Sequence, residues 1–273
     1  MADPKLVAEL EEKAKMIRRN IVEMIGDTRR GHLGGSLSIA DIVAVLYYHT
    51  MRLRPGDPSW EDRDRFLLSK GHAALAQYAA LIDLGYIPKE ELYKLKDLGS
   101  MTQGHPDMRK TPGIEAGTGS LGQGLSVAVG MALGLRLAGK DSKVYVIVGD
   151  GELNEGQIWE AAMAAAHYEV DNLVAFLDYN GLQATGCCAE TMRTEPLPEK
   201  WAAFGWHVIN IDGHDIGQIL DALDEAAAVR EKPVMIVAKT VKGKGVSFAE
   251  NVAGFHHGEM TTEQYKQALA ELA

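Results

Sequence analysis

Two oxygen-bearing side chains, Asp150 and Asn180, lie thirty residues apart, and each follows directly on a short apolar run. Asp150 stands between two glycines after residues 143–148, and Asn180 follows residues 172–179. A carboxylate and an amide oxygen that face one point could hold a hard cation. Mg²⁺ suits such a pair, because it keeps few protein ligands and takes phosphate oxygens for the rest. The pair therefore predicts a magnesium site.

The two apolar runs have the composition of strands that are buried on both faces of a parallel sheet. Residues 155–168 between them are rich in Ala and carry apolar side chains at helical spacing, which predicts a strand–helix–strand unit. Parallel strands end at the same sheet edge, where ligands of such sheets bind, so Asp150 and Asn180 should meet there. The alternative is ordinary loop chemistry, with a Gly-Asp-Gly turn and an Asn that ends a strand.

The combination of Gly149-Asp-Gly151, the helix and Asp178-Tyr-Asn180 is more specific than either half alone. It resembles the thiamine diphosphate motif of transketolase-like enzymes. The resemblance implies that Asp150 and Asn180 hold the divalent ion, Mg²⁺ or else Ca²⁺ or Mn²⁺, that bridges the cofactor's diphosphate. It also implies a third metal ligand, the main-chain carbonyl of Leu182. A main-chain ligand explains why an apolar residue stands at that position.

Four of the nine histidines lie in glycine-containing turns at the ends of predicted elements. A lone His is ordinarily a partly buried, hydrogen-bonded residue with no catalytic duty. Loops at the ends of elements, however, are where α/β proteins build their sites. Imidazoles with a pKa near neutrality can also move protons on and off sugar hydroxyls. The four residues are His32, His72, His105 and His257.

The same turns resemble transketolase motifs whose histidines line the substrate channel or touch the diphosphate. The matching segments are, in order, Gly31-His32, Ser69-Lys-Gly-His72, Gly104-His105-Pro106, Gly119-Ser-Leu-Gly-Gln-Gly124 and His257-Gly258. The catalytic residues that the resemblance implies are His32, His72, His105, His257 and the interface acid Glu155, which in the family helps active sites communicate. The implied cofactor ligands are His72, Gly119, Leu121, Gly151, Glu152, Asn180 and His257.

The last histidine motif departs from the family pattern in two ways. His256 precedes His257, so either of them can be the site histidine. Glu259-Met260 stands where the family usually has a small residue followed by a proline. The register of this His-Gly motif is therefore left open between the two histidines.

Residues 117–122 spell the glycine fingerprint of dinucleotide-binding folds, and Asp141 lies near the distance expected for a ribose-binding acid. That fingerprint requires a strand before the glycines, but residues 109–115 do not have the pattern of a strand. We therefore disfavour a nicotinamide cofactor. A glycine-lined start to the predicted helix 125–137 still suits the close approach of a phosphate group.

The remaining pattern predicts an α/β fold, namely a parallel twisted sheet of at least five strands with helices on both faces. The predicted strands are residues 62–69, 143–148, 172–179, 207–212 and 234–239. The predicted helices are residues 6–25, 39–48, 73–84, 89–98, 125–137, 155–168, 217–229 and 262–272. Residues 181–198 lack strong periodicity and are predicted to be a loop. Without repeats, linkers or changes in composition, residues 1–273 should form a single diphosphate-binding domain.

Composition narrows the classes of function. The net charge of −10 argues against a nucleic-acid or anionic-membrane binder, since both need a basic surface. No apolar stretch is long enough to span a membrane, and the N-terminus lacks a signal-peptide pattern, so we expect a cytoplasmic protein. Cys187 and Cys188 are adjacent in sequence and are interpreted as ordinary thiols.

The resemblance covers only the first of the three domains of a full transketolase. It therefore implies the N-terminal subunit of a split transketolase, which is incomplete without a C-terminal partner. The two kinds of chain would assemble as a heterotetramer. Once assembled, the enzyme would transfer a two-carbon ketol unit from a ketose phosphate to an aldose phosphate, as in the pentose phosphate pathway.

Two alternatives to this function remain open from the sequence. One is another thiamine diphosphate enzyme, similar to deoxyxylulose-phosphate synthase or to a 2-oxo acid dehydrogenase component. The other is a non-catalytic protein that binds the cofactor. The presence of four candidate site histidines disfavours the second alternative, because plain binding needs only the metal and phosphate ligands.

Overall fold

The sheet at the centre of the fold follows the predicted pattern. A computed structural model describes residues 2–273. The strands are β1 Arg65–Leu68, β2 Val144–Gly149, β3 Leu173–Tyr179, β4 Leu182–Gln183, β5 Gly186–Cys187, β6 His207–Asp212 and β7 Val234–Lys239. Five of them form one parallel sheet in the order β1-β2-β3-β7-β6, while β4 and β5 form a separate antiparallel hairpin. The prediction of a parallel sheet of at least five strands is confirmed.

Helices flank this sheet. The α-helices are α1 Pro4–Ile25, α2 Leu33–Leu37, α3 Ala40–Val45, α4 Ala74–Asp83, α5 Gln123–Leu137, α6 Gly156–His167, α7 Cys188–Thr191, α8 Leu197–Ala203, α9 Ile216–Ala228 and α10 Thr262–Glu271. The shorter helical turns are the 3-10 turns Gly71–Ala73, Lys89–Tyr93, Gly151–Asn154 and Ala253–His256 and the π-helical turn Leu46–Thr50. No helix within residues 2–273 is long and apolar enough to cross a membrane.

Alternate residues of the central strand β3 belong to two separate hydrophobic cores. Val174 and Phe176 pack with α1, α3, α4 and α9 on one face of the sheet. Ala175 and Leu177 pack with α5, α6 and α8 on the other face. A strand that is buried on both faces needs apolar residues at every position, which is why its sequence shows no alternation. The prediction of helices on both faces is confirmed.

The carboxyl ends of the central strands lie level at one edge of the sheet. Gly149 of β2 pairs with Asp178 of β3, and Asp178 pairs with Ala238 of β7. The hydrogen bonding between β2 and β3 continues at Asp150, whose main-chain N–H donates to the Asp178 carbonyl at 3.3 Å. The segments that follow β2, β3 and β7 therefore leave the sheet side by side, as the strand–helix–strand pattern predicts.

Two predicted helices differ in helix type in the structure. Of residues 89–98, only Lys89–Tyr93 are helical, as a 3-10 turn, and the left-handed backbone at Lys96, where φ is 63°, prevents a helix from continuing to residue 98. The Glu91 carboxylate of this turn instead accepts a main-chain N–H from the following loop at 2.6 Å. The predicted helix 39–48 ends as the π-helical turn Leu46–Thr50.

The predicted loop 181–198 contains structure of its own. The β4–β5 hairpin occupies its first part, with positive φ at Gly181 and Gly186 (77° and 141°). The short helix α7 and the start of α8 follow. Two-residue strands and a one-turn helix are too short to leave a periodic pattern, so the sequence could not reveal them.

Candidate active site

A cavity of about 340 Å³ opens at the carboxyl edge of the sheet. Its walls come from the segments after β1, β2, β3 and β7, together with α2 and the 3-10 turn Ala253–His256. Among the side chains that line it are Lys70, His72, Asp150, Asn180, Lys242 and His256. Distant parts of the chain therefore converge on one volume and bring both carboxylate and ammonium groups to it.

Asp150 is a carboxylate in the wall of this cavity and is 3% exposed. Its Oδ1 accepts the Gly151 N–H at 2.7 Å, and its Oδ2 accepts the Gly181 N–H at 2.5 Å. Burial, and then the nearby Asp178 carboxylate, raises the pKa of Asp150 to about 6. A cation beside this carboxylate would be stabilising, because it offsets both the desolvation and the repulsion.

Asn180 and Leu182 line the same cavity as Asp150. The Asn180 amide is oriented by two contacts, since Nδ2 donates to Asp178 at 2.9 Å and Oδ1 accepts the Leu182 N–H at 3.1 Å. The Leu182 carbonyl accepts from the ammonium of Lys242 at 3.1 Å. The structure thus brings together the three residues predicted as metal ligands, and a cationic group contacts one of their oxygens.

These donors fit a hard divalent cation that completes its coordination with phosphate oxygens. Mg²⁺ is ordinarily held by one or two carboxylates plus the phosphates of a ligand. Within residues 2–273, no group of three His, Cys, Asp or Glu side chains has the arrangement of a metal site. The donor set offers one carboxylate, one amide oxygen and one main-chain carbonyl, so it suits an ion that is shared with an anionic ligand.

A buried ion pair beside the cavity was missed by sequence reasoning. The fully buried Asp178 carboxylate accepts from the Lys70 ammonium at 2.5 Å. It also accepts from the hydroxyls of Ser38 and Thr240. Burial raises the pKa of Asp178, but Lys70 and these hydroxyls lower it by more, so the carboxyl is ionised. Lys70 also donates to the Gly35 carbonyl at 2.8 Å, which fixes its ammonium at the cavity wall.

Glu152, predicted as a cofactor ligand, lines the cavity. Its carboxylate accepts from the Ser69 hydroxyl at 2.5 Å. It also accepts the main-chain N–H groups of Gly122 and Gly149 at 2.8 and 3.0 Å. Three protein donors thus occupy a carboxylate whose side chain is buried. The Glu152 carboxylate therefore joins the loop at Gly122 to the end of β2 at the cavity wall.

The other residues of the glycine-containing loops that are predicted to contact the cofactor differ in their position relative to the cavity. Leu121 and Gly151 line the cavity, and a Cβ on Gly151 would come within 2.9 Å of the Gln183 side chain. Gly119, at φ 145°, packs against His105, whose ring would lie 2.8 Å from an added Cβ. Both positions require glycine for close approach, but of the two it is Gly151 that faces the cavity.

The segment that spells the dinucleotide fingerprint lacks the strand which that motif needs. In the described chain, residues 109–115 hold turns and bends, and α5 begins at Gln123 after the left-handed Gly122, where φ is 84°. The loop contributes Leu121 to the cavity described above. The geometry therefore agrees with the rejection of a nicotinamide site.

Five histidine rings form a cluster that extends from the cavity to the protein surface. His72 and His256 line the cavity, and their ring centroids lie 4.8 Å apart. His32 lies 5.1 and 5.5 Å from these two rings. It also lies 5.8 Å from His105 and 4.5 Å from His257. The structure therefore brings together all four histidines predicted as site residues, and it adds His256 to them.

The histidines of this cluster are neutral at physiological pH. Burial is the main cause that lowers the pKa of His32 to about 3, and the neighbouring histidines, which would repel its charged form if protonated, add to the shift. Burial and the Lys242 ammonium lower the pKa of His256 to about 4. Burial and the Lys70 ammonium also lower the pKa of His72, and the two remaining rings have pKa values shifted in the same direction. Each neutral imidazole offers one donor and one acceptor, so it can exchange a proton with a hydroxyl group.

The positions of the last two histidines differ with respect to the cavity. An antiparallel bridge ties the chain just before His32 to the chain just after His257. His256 lies in the cavity wall, with Nδ1 3.1 Å from the Lys242 ammonium. His257 is exposed, and its Nε2 lies 3.2 Å from the Lys96 ammonium. Direct contact with a ligand in this cavity is therefore better assigned to His256, and His257 belongs to the outer end of the cluster.

The depressed histidine pKa values predict that the chain loses stability in mild acid. An unfolded His takes a proton near pH 6.5, whereas folded His32 stays neutral until about pH 3. Between these values the unfolded state binds more protons, so the stability that is fully present above pH 6.5 falls as the pH drops. The loss is less than about 1.4 kcal/mol per pH unit for each such residue. Thermal melting between pH 7.5 and 5 should show this fall in stability. An equally steep fall in His32→Asn would contradict the low pKa assigned to His32.

Comparison with known proteins supplies a family for this arrangement. Residues 10–272 match the family described as transketolase, thiamine diphosphate binding domain. A protein of Clostridium sp. (strain MSTE9), named 6-deoxy-6-sulfo-D-fructose transketolase subunit SqwG, is 48% identical over 264 residues, which cover 97% of this chain and 96% of that protein. A protein of Phocaeicola vulgatus, named as one subunit of apulose-4-phosphate transketolase, is 42% identical over 267 residues, which cover 98% of this chain and 95% of that protein.

Longer proteins match over part of their length. Human transketolase-like protein 2 is 38% identical over 271 residues, which cover 99% of this chain and 43% of that protein. The solved transketolase of Leishmania mexicana has a TM-score of 0.92 and 34% identity, and the match covers 100% of this chain and 41% of that one. The chain therefore belongs to the transketolase family, whose thiamine diphosphate-binding domain it matches over residues 10–272.

Proposed function

We propose that this chain forms the diphosphate-binding half of a two-subunit transketolase. In this proposal, Asp150, Asn180 and the Leu182 carbonyl hold a divalent cation, Mg²⁺ or alternatively Ca²⁺ or Mn²⁺. The observation that carries the proposal is the convergence on one cavity of this oxygen set, two lysine ammonium groups and two rings of the histidine cluster, His72 and His256. The oxygens suit the metal, Lys70 and Lys242 suit the diphosphate, and the imidazoles suit sugar hydroxyls.

Thiamine diphosphate, when bound, supplies the carbon nucleophile and the electron sink for ketol transfer. The residues of this chain have the tasks of charge balance and proton transfer. Burial lowers the pKa of Lys242 to about 8, and a diphosphate beside it would favour its charged form. The neutral rings of His32 and His105 can accept a proton from a substrate hydroxyl at an unprotonated ring nitrogen and return it later.

A second subunit is proposed because the single-chain transketolases are more than twice as long as the part that matches this chain. Relatives that this chain covers almost completely carry the names of transketolase subunits. Glu155 is exposed and lines the cavity, so it is our candidate for contact with another subunit. We propose a heterotetramer, with two copies of this chain and two of a C-terminal partner subunit. Its proposed location is cytoplasmic.

The proposed reaction moves a two-carbon ketol unit from a ketose to an aldose, with sugar phosphates as the predicted substrates. Two relatives are named for 6-deoxy-6-sulfo-D-fructose and for apulose 4-phosphate. A solved transketolase of Pichia stipitis is a complex with xylulose 5-phosphate. These three ketoses form the donor panel, in which xylulose 5-phosphate represents the predicted role in the pentose phosphate pathway.

An assay of the chain together with its co-purified partner subunit tests the proposed reaction. With Mg²⁺, thiamine diphosphate and an aldose phosphate acceptor, at least one donor of the panel should lose two carbons to the acceptor. The chain alone should show no turnover, because half of the site is missing. Failure of all three donors in a pair that binds the cofactor would overturn the reaction, and full turnover by the chain alone would overturn the two-subunit proposal.

A further inference from the structure

Three polar side chains form a hydrogen-bonded series behind the cavity, and none of them lines it. The Arg18 guanidinium of α1 donates through both terminal nitrogens to the carboxylate of Asp41 in α3. His214, in the loop after β6, places Nδ1 2.7 Å from the same carboxylate. Arg18 and Asp41 are 9% and 5% exposed, so this pair is shielded from solvent. These three residues belong neither to the proposed metal ligands nor to the histidine cluster, so the proposed function gives them no role.

The hydrogen bonds of His214 determine which ring nitrogen carries the proton. Nε2 accepts the main-chain N–H of Val241 at 2.8 Å, so this nitrogen is unprotonated. Nδ1 must then carry the ring proton and donate it to Asp41. Burial raises the pKa of Asp41, but His214 and Arg18 lower it by more, so the carboxylate is ionised and accepts from both. A partner at each nitrogen therefore fixes the orientation of the ring.

Val241 lies between two residues that contact the proposed cofactor site. Thr240 donates to Asp178, the buried carboxylate that orients the Asn180 amide. Lys242 reaches the Leu182 carbonyl, one of the proposed metal ligands, at 3.1 Å. A shift of the main chain at Val241 would disturb both contacts together. The hydrogen bond from Val241 to His214 is thus placed to hold residues 240–242 in the position that both contacts require.

We propose that His214 is a positioning residue for the cofactor site, because its unprotonated Nε2 holds the Val241 N–H and thereby fixes Lys242 against the Leu182 carbonyl. This inference rests on the proposed function, since its readout is the affinity for Mg²⁺ and thiamine diphosphate. His214 does not line the cavity, so it acts through Val241 rather than on a ligand. Outer partners of metal ligands ordinarily contribute about 10- to 100-fold to affinity or activity.

Two amide substitutions separate the contributions of the two ring nitrogens. The Gln side chain places its amide near the position of Nε2, so His214→Gln can still accept the Val241 N–H. The shorter Asn side chain places its amide near Nδ1, so His214→Asn keeps the contact with Asp41 and loses the contact with Val241. Thiamine diphosphate binding at saturating Mg²⁺, measured by calorimetry on the subunit pair, should weaken by about 10- to 100-fold in His214→Asn. In His214→Gln the loss should be less than about 10-fold.

Melting without cofactor and turnover at saturating cofactor complete the test. Both variants should lose thermal stability to a similar degree, because each removes one partner from a buried hydrogen bond. Saturating cofactor should restore most of the turnover of His214→Asn. Equal affinities of the wild type and both variants, or equal losses in the two variants, would overturn the positioning role. Absence of any cofactor binding by the wild type would instead overturn the proposed function, and this inference with it.

Discussion

Asp150→Asn should abolish the rise in melting temperature that Mg²⁺ and thiamine diphosphate together produce in the wild-type protein. Asp150 is the only charged member of the proposed ligand set, since Asn180 and Leu182 supply neutral oxygens. Its removal should cost more than about 100-fold in cofactor affinity, because outer partners of ligands alone contribute about 10- to 100-fold. Turnover by the assembled enzyme should fall by at least the same factor at subsaturating cofactor.

The matched control for Asp150→Asn is Glu12→Gln on the exposed side of α1. It removes the same unit of negative charge at a distance from the cavity, so it should keep the full cofactor-dependent rise. Melting of both variants without cofactor shows whether either is misfolded. A wild-type rise in folded Asp150→Asn would remove this residue from the metal site.

His32→Asn should lower turnover by about 100- to 10,000-fold, which is the usual contribution of a general acid or base. His32 lies between His72 in the cavity wall and the exposed His257, with ring centroids 5.1 and 4.5 Å away. Its Nδ1 is buried and has no hydrogen-bond partner within the described residues. Its depressed pKa keeps the ring neutral and able to accept a proton. Because His32 contacts none of the proposed metal ligands, cofactor affinity should change little.

The kinetic constants of the assembled enzyme and the cofactor dissociation constant together test this assignment. His167→Asn, at the exposed end of α6, is the matched control and should leave both quantities unchanged. If His32→Asn instead weakened cofactor binding and kept turnover at saturating cofactor, His32 would be a cofactor ligand. Such a result would remove it from proton transfer.

The strand ends could be predicted from the sequence because burial on both faces leaves a simple pattern. All six residues of β2 and the first six of β3 are buried, and both runs are therefore apolar almost without interruption. The polar residues Asp150 and Asn180 mark the point where each run stops. Parallel pairing then places both at one edge, which requires no knowledge of side-chain contacts.

The polar pairs that support the site could not be predicted in this way. Lys70 and Asp178 are 108 residues apart in sequence, and Asp41 and His214 are 173 apart. Lys and Asp are mostly exposed in proteins, so their residue types give no sign of burial. The motif that contains Lys70 drew attention only to its histidine. A pairing of this kind depends on how distant elements are brought together, and local periodicity does not encode it.

Local motifs could not show how Glu152 and the two adjacent histidines are placed around the cavity. Glu152 follows the Gly-Asp-Gly motif directly and lines the cavity, and its partners Ser69 and Gly122, which come from other elements, orient its carboxylate. In the same way, the last histidine motif left the site residue open between His256 and His257. The fold of the tail places His256 in the cavity wall and leaves His257 exposed. In both cases the long-range packing decided the position.

A crystal structure of the assembled enzyme with Mg²⁺ and thiamine diphosphate tests the proposed metal site most directly. We predict one metal ion at about 2.0–2.1 Å from the Asp150 carboxylate, Asn180 Oδ1 and the Leu182 carbonyl, with diphosphate oxygens among its remaining ligands. A metal ion held by other residues would contradict the proposed site. The site would also be contradicted by a bound diphosphate whose metal ion does not contact the Asp150 carboxylate, so that this carboxylate accepts only from main-chain N–H groups.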